Sequence, residues 1–160
     1  MKKKFILIIF IFFISKNVFT LEVTCQFEEV YMDGSNQQGI FFFDNNKLRY
    51  QYNSPLLYTL IYDNFELHAV QNKNTNINQL VIDQYNIIKS LKNISNDYPN
   101  FDKKYIFSSQ EVIVETNKTK NFIKRLAFKS DRLNLSIYFQ DCNFGNINPK
   151  LFSHKNFVQY

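Results

Sequence analysis

From Gly39 to Leu67 the chain reads GIFFFDNNKLRYQYNSPLLYTLIYDNFEL: short apolar runs cut at close intervals by turn-forming residues. The cuts fall at Asp44-Asn45-Asn46, at Asn53-Ser54-Pro55 and at Asp63-Asn64. Runs this short, bounded by Asn, Asp, Ser and Pro, predict four consecutive strands of an antiparallel meander. Successive side chains of a strand point to opposite faces, so Leu48, Tyr50 and Tyr52 share one face and Arg49 and Gln51 the other. Pro55 lacks an N–H and belongs at a strand start or edge. Asn64 stands where a tight hairpin requires positive φ, which Asn tolerates.

The flanking sequence extends this pattern. Leu21, Val23, Cys25 and Phe27 alternate with Glu22, Thr24, Gln26 and Glu28, which predicts a half-buried strand with one wet face running to Tyr31. Asp33-Gly34 then supplies a turn. Gly39 to Phe43 is apolar on both faces, which fits either burial between the sheet and a covering helix or one face lining a cavity. His68-Ala69-Val70 continues the strand begun at Phe65, residues 71–78 form a polar loop, and Leu80-Val81-Ile82 reads as a further short strand. From Gln84 to Ile94 the period changes: Tyr85, Ile88, Leu91 and Lys92 recur three or four apart, with Asp83 as candidate N-cap. Ser95 to Asp102 is a turn region containing Pro99. Tyr105–Glu115, Phe122–Phe128 and Leu133–Phe139 read as three more strands, and residues 144–160 as a tail. The sum is one domain with a strongly curved antiparallel sheet of nine to eleven strands and one or two helices.

Residues 1–20 stand apart from that domain, which spans 21–160. Lys2-Lys3-Lys4 precede an unbroken apolar run, Phe5 to Ile14, and Val18 and Thr20 sit at −3 and −1 of a cleavage point. This is the pattern of a secretory signal peptide. The apolar run is too short for the ~20 residues that cross a bilayer as a helix. The formal charge of the full chain is +5. Lys2, Lys3, Lys4 and Lys16 leave with the signal and no acid does, so the mature chain is close to neutral. With no basic run in 21–160, nucleic-acid binding is not expected.

Export also bears on the only two cysteines, Cys25 and Cys142. In an oxidising compartment they are candidates for a disulfide between the first and last strands. Two buried free thiols, or lipidation of Cys25, are the alternatives. Glu22 at −3 of Cys25 disfavours lipidation, whose recognition wants small residues there.

The residues of the central stretch resemble the signature region of the periplasmic outer-membrane lipoprotein carrier family, LolA. That family shows a Gly-led strand, an aromatic or Leu followed by Arg and Trp or Tyr, then a Pro, an apolar strand and a hairpin. Gly39, Leu48-Arg49-Tyr50, Pro55, Leu60-Ile61 and Tyr62-Asp63-Asn64 with Leu67 stand in that order here. Leu133 to Phe152 is similar to the family's closing strand, polar loop and Phe-containing edge. The resemblance implies an open, incomplete β-barrel whose concave face is closed by helices. It implies a monomeric, non-enzymatic periplasmic carrier that shields the acyl chains of lipoproteins, taking them from an inner-membrane lipoprotein-releasing transporter to an outer-membrane lipoprotein receptor. No cofactor is implied. Two family features are absent: Asp44-Asn45 stands where an Arg-Pro pair would latch a helical lid, and the first strand begins almost at Leu21, without the family's N-terminal amphipathic helix. Either the helix at Gln84 does more of the covering, or the ligand differs.

In the family, the residues matching Leu48 and Tyr50 face the lipid cavity. Ile40, Phe42, Leu48, Tyr50, Tyr52, Tyr58 and Leu60 are accordingly the candidates for a concave, lipid-binding face. Several acyl chains need a large, non-specific apolar surface, at about 0.8 kcal/mol for each CH₂ buried. Ordinary core packing explains the same periodicity. The class opposed to a carrier is a disulfide-stapled structural or interaction domain without a lipid cavity. An enzyme is not expected. His68 and His154, the only histidines, lack metal-ligand spacing to Cys, Asp or Glu, and no metal site is expected. With Gly34, Gly39 and Gly145 as the only glycines, no phosphate loop or oxyanion turn can be built.

Overall fold

The computed structural model describes residues 21–63, 65–71, 82–108, 110–131 and 133–154. The predicted signal peptide, the loop at 72–78, Leu80, Val81 and Asn64 lie outside them.

Nine strands form one antiparallel sheet, strongly curled but not closed into a barrel. Five come from the first half of the chain: β1 (Glu22–Tyr31), β2 (Asn36–Asp44), β3 (Lys47–Tyr52), β4 (Tyr58–Asp63) and β5 (Glu66–Gln71). A helix, α1 (Ile82–Asn96), follows, and then β6 (Lys104–Phe107), β7 (Gln110–Asn117), β8 (Phe122–Lys129) and β9 (Asn134–Phe144). The spatial order is β5-β4-β3-β2-β1-β9-β8-β7-β6. Each half is a meander, and the two are joined as one sheet where β1 pairs with β9.

The turns carry out what their residues allow. Asn45 and Asn46 both take positive φ (42° and 75°) between β2 and β3, the backbone that a two-residue hairpin matching strand twist requires. The turns after β1, β3, β6 and β8 gather at one end of the sheet, called here the Met32 end. The turns after β2, β4 and β7 gather at the other, the Asn46 end.

Three boundaries differ from the sequence reading. Residues 105–115 are two strands, not one, because the chain reverses after Phe107, where Ser108 takes φ 56°. Ile82 opens α1 rather than ending a strand, so Asp83 lies inside the helix and not at its N-cap. Its buried stripe is Ile87, Ile88, Leu91 and Ile94, while Tyr85 is exposed. The tail contains a 3₁₀ turn, Pro149–Phe152, capped by the Asn148 side chain, which accepts from the Lys150 N–H.

Both faces of the sheet are covered, as the doubly apolar β2 demands. On the concave face Val23, Phe41, Leu48, Leu60, Val112, Leu126 and Ile137 pack with the α1 stripe into one core. On the convex face Phe42 and Ile40 meet Ile147, Leu151 and Phe152. Arg49, fully buried there, donates from Nη1 to the Leu151 carbonyl (2.9 Å) and from Nη2 to Gln51 Oε1 (2.6 Å). It thus ties the 3₁₀ turn to the back of β3.

Cys25 and Cys142, 117 positions apart in sequence, are joined, S–S 2.04 Å, across the β1–β9 seam. A bridge closing so long a loop removes denatured-state entropy worth up to about 4–5 kcal/mol. Replacing both cysteines by serine is therefore expected to lower the denaturant midpoint of the mature chain by a corresponding amount, checked by equilibrium urea unfolding with and without reductant.

Candidate functional site

The concave face is apolar along most of its length and polar at one end. On β1 the alternation that buries Val23, Cys25 and Phe27 continues to position 29, where the residue is Glu. Glu29 is only 1% exposed. Three tyrosine hydroxyls surround its carboxylate. Tyr50 donates to Oε1 at 2.8 Å, Tyr31 donates to Oε2 at 2.6 Å, and Tyr52 lies 3.1 Å from both oxygens. Tyr50 and Tyr52 belong to β3, two strands away.

Gly39 makes that reach possible. It sits on the intervening strand opposite both Phe27 and Tyr52. A Cβ there would fall 2.0 Å from the Gln51 carbonyl oxygen and 2.4 Å from the Phe27 ring. The side chain that would separate β1 from β3 is absent, and Phe27 stacks directly on Tyr50, ring centroids 3.8 Å apart. Tyr52 meets Phe27 and Tyr50 edge-on at 5.6 and 5.4 Å and continues to Tyr58 at 5.7 Å. The glycine that leads β2 is thus a notch for cross-strand aromatic packing.

Burial dominates the electrostatics. Desolvation raises the Glu29 carboxyl above the ordinary carboxylate range, against the lowering effect of the hydroxyls of Tyr31, Tyr50 and Tyr52. Desolvation, and then the neighbouring Glu29 charge, raises all four tyrosines. Tyr58 moves up to about 12, and Tyr31, Tyr50 and Tyr52 are also raised. The hydroxyls therefore remain protonated donors at physiological pH.

Of the seven residues expected on the concave face, five are there. Leu48, Tyr50, Tyr52 and Leu60 are buried in its core, and Tyr58 packs against them partly exposed. Ile40 and Phe42 lie on the opposite face, because they pair in register with Gln51 and Arg49; Phe41 and Phe43, opposite Tyr50 and Leu48, take the inner positions. Ile40 lines two shallow convex grooves of about 240 Å³ each, one also walled by Gln26, Glu28, Gln38 and Gln140 and the other by Phe42, Ile147 and Leu151. Glu29 was legible as a member of the buried face from the period of β1 alone. The tyrosine cage around it was not, since it depends on register across three strands.

His68 and His154 stack with ring centroids 3.8 Å apart, and Glu66 lies 3.6 Å from His68. Among the described residues no group of three or more His, Cys, Asp or Glu side chains is placed to hold a metal ion. No described helix is long and apolar enough to cross a membrane. The Cys25–Cys142 disulfide fits an oxidising, extracytoplasmic compartment. No protein-family model matches the chain, and no curated protein matches it significantly.

Two outcomes are expected. Gly39→Ala must displace either the Gln51 backbone or the Phe27 ring, and should destabilise by about 1–3 kcal/mol or more, read from the denaturant midpoint. Glu29 holds its proton more tightly folded than unfolded. Its contribution to stability is therefore fullest below the unfolded carboxyl pKa and is lost as pH rises through the raised folded value. Glu29→Gln should remove this downward slope from a plot of Tm against pH between about 4 and 8.

Proposed function

We propose that the chain is a non-enzymatic periplasmic carrier of acyl chains, of the kind the lipoprotein-carrier resemblance implies. It would hold the acyl chains of lipoproteins against the concave face beneath α1, between release from the inner membrane and delivery to an outer-membrane receptor. One observation carries the reading: among the described residues a continuous aliphatic and aromatic concave face is covered by one helix and no second sheet.

The anchoring of that helix is uneven. Its end is held at the Asn46 end of the sheet, where Asn96 donates to Asn46 Oδ1 at 2.8 Å. The chain beyond it locks in through Tyr98 and Phe101, which pack on Phe122, itself 5.9 Å from Phe144. Among the residues of α1 whose side chains are described, Tyr85 is exposed and the buried stripe is Ile87, Ile88, Leu91 and Ile94. A helix of 15 residues is about 22 Å long. Pivoting about its anchored end would uncover the face from the Met32 end, without breaking the sheet. Transfer then requires no cofactor, only a succession of apolar sites of rising affinity.

The other reading is a disulfide-stapled interaction domain. It is favoured by the completeness of packing under α1, where Leu48, Tyr50, Leu60, Ile88 and Leu91 are wholly excluded from solvent.

Native mass spectrometry of the mature protein, isolated from periplasm without detergent and then offered a synthetic diacylated lipopeptide, separates the two. A carrier is expected to show adducts with the mass of the acylated species. A protein that stays at its apo mass in both experiments is not a carrier.

A further inference from the structure

The convex side of the sheet divides into two surfaces of different chemistry. Over β6–β8 its outward side chains pair as ions: Arg125 with Glu115 at 2.8 Å, and Lys104 with Glu111. Over β9, β1 and β2 the outward positions carry primary amides instead. Gln140 and Ile40 stand opposite Gln26 on its two sides, so the three form one rank across the strands. Gln38 stands opposite Glu28 in the next rank. The Asn53 N–H donates to the Gln38 carbonyl at 2.8 Å, which brings Asn53 to the same place. These residues line one groove of about 240 Å³. Ile40 also lines the second groove, of the same volume, whose apolar wall is Phe42, Ile147 and Leu151. The 3₁₀ turn that packs on Phe42 raises that wall.

Among the described residues, none of the four amide side chains, those of Gln26, Gln38, Asn53 and Gln140, has a hydrogen-bond partner. All four are exposed, so solvent serves them and the fold does not use them. Glu28 has one carboxylate oxygen taken by Asn36 Nδ2 at 2.9 Å. No described residue lining either groove is Lys or Arg.

We infer that this convex groove binds a neutral oligosaccharide, its hydroxyls shared among the amides of Gln26, Gln38, Asn53 and Gln140 and a C–H face of the sugar laid on Ile40 and Phe42. An amide donates through its NH₂ and accepts through its oxygen, and a hydroxyl does both at one atom, so each pair can bond in either sense. Neighbouring strands lie about 4.8 Å apart, so the rank from Gln140 to Ile40 runs roughly 10 Å, the length of a disaccharide. Joined at Ile40, the two grooves reach the range of about 300–1,000 Å³ that small-molecule sites occupy. An acidic sugar would set a second anion beside Glu28 with no described cation in the lining to offset it. An extended peptide binds by adding a strand at a sheet edge. Here β9, β1 and β2 are central strands whose backbone groups are already paired, which leaves side chains alone to recognise the ligand. The groove is on the opposite face from the acyl-chain site and does not rest on the carrier reading.

The test titrates the ¹⁵N-labelled mature chain with maltotriose, cellotriose and chitotriose and follows the side-chain NH₂ resonances by NMR. At least one sugar is expected to bind with a Kd of about 1 mM or tighter, shifting the resonances of Gln26, Gln38 and Gln140. Gln26→Ala and Gln140→Ala replace exposed residues without internal partners, so both variants should fold, and each should weaken binding by about fivefold or more. Asn100→Ala removes an exposed amide from the turn after α1 and should leave the affinity unchanged. Trigalacturonate should bind about tenfold more weakly than the best neutral sugar. The site is overturned if all three neutral sugars leave these resonances unmoved at about 20 mM, or if both variants bind as wild type does. Equal binding of trigalacturonate overturns the assignment to a neutral sugar.

Discussion

Everything in this fold hangs on the pairing of β1 with β9. The two meanders, β1–β5 and β6–β9, form locally, each strand folding back on its predecessor across a short turn. Nothing local brings them together. The seam from Val23–Phe144 to Tyr31–Leu135 joins segments more than a hundred residues apart, and only then is there one sheet with a concave side. The entropy of closing such a loop opposes that pairing, and the Cys25–Cys142 bridge across the seam cancels much of the cost by restricting the unfolded chain. The bridge fits an oxidising compartment, where the staple that the central pairing uses persists.

Once the sheet is continuous, its curl decides what can cover it. The concave side accepts one helix, and α1 fills it with four aliphatic side chains on a single stripe. The convex side is shielded over β2–β4 by a single 3₁₀ turn, fastened by the Arg49 guanidinium through the Leu151 carbonyl. Arg49 and Tyr50 are neighbours in sequence with opposite duties. The first holds the outer cover in place, and the second donates to Glu29 on the inside. A one-residue slip of β3 would exchange them, placing a guanidinium under α1.

The inner face is not uniformly oily, and that asymmetry gives it a direction. The aromatic anchor of α1, built from Tyr98, Phe101 and Phe122, lies at the Asn46 end, and the caged carboxylate at the Met32 end.

Much of this is legible in the amino-acid sequence. The turn residues delimit seven of the nine strands, the change of period marks α1, and the pair of cysteines points to one bridge. These are local signals: each depends on residues within a few positions of one another, where backbone preference and face alternation act directly. The missed boundaries have the same cause in reverse. Residues 105–115 carry apolar runs on both sides of a polar middle, and the reversal at Ser108 has no Gly or Pro to announce it.

Tertiary structure alone decided which apolar residues are inside. Phe41 and Phe43 are indistinguishable from Ile40 and Phe42 by composition, and only registry against Tyr50 and Leu48 assigns the faces. The same registry, working through the vacancy at Gly39, turns three separated tyrosines and one glutamate into a single cage. The sequence by itself determined the elements, because their spacing is a local property of the chain. The fold determined the site, because a buried carboxylate acquires its meaning from hydroxyls delivered by strands it does not touch in sequence.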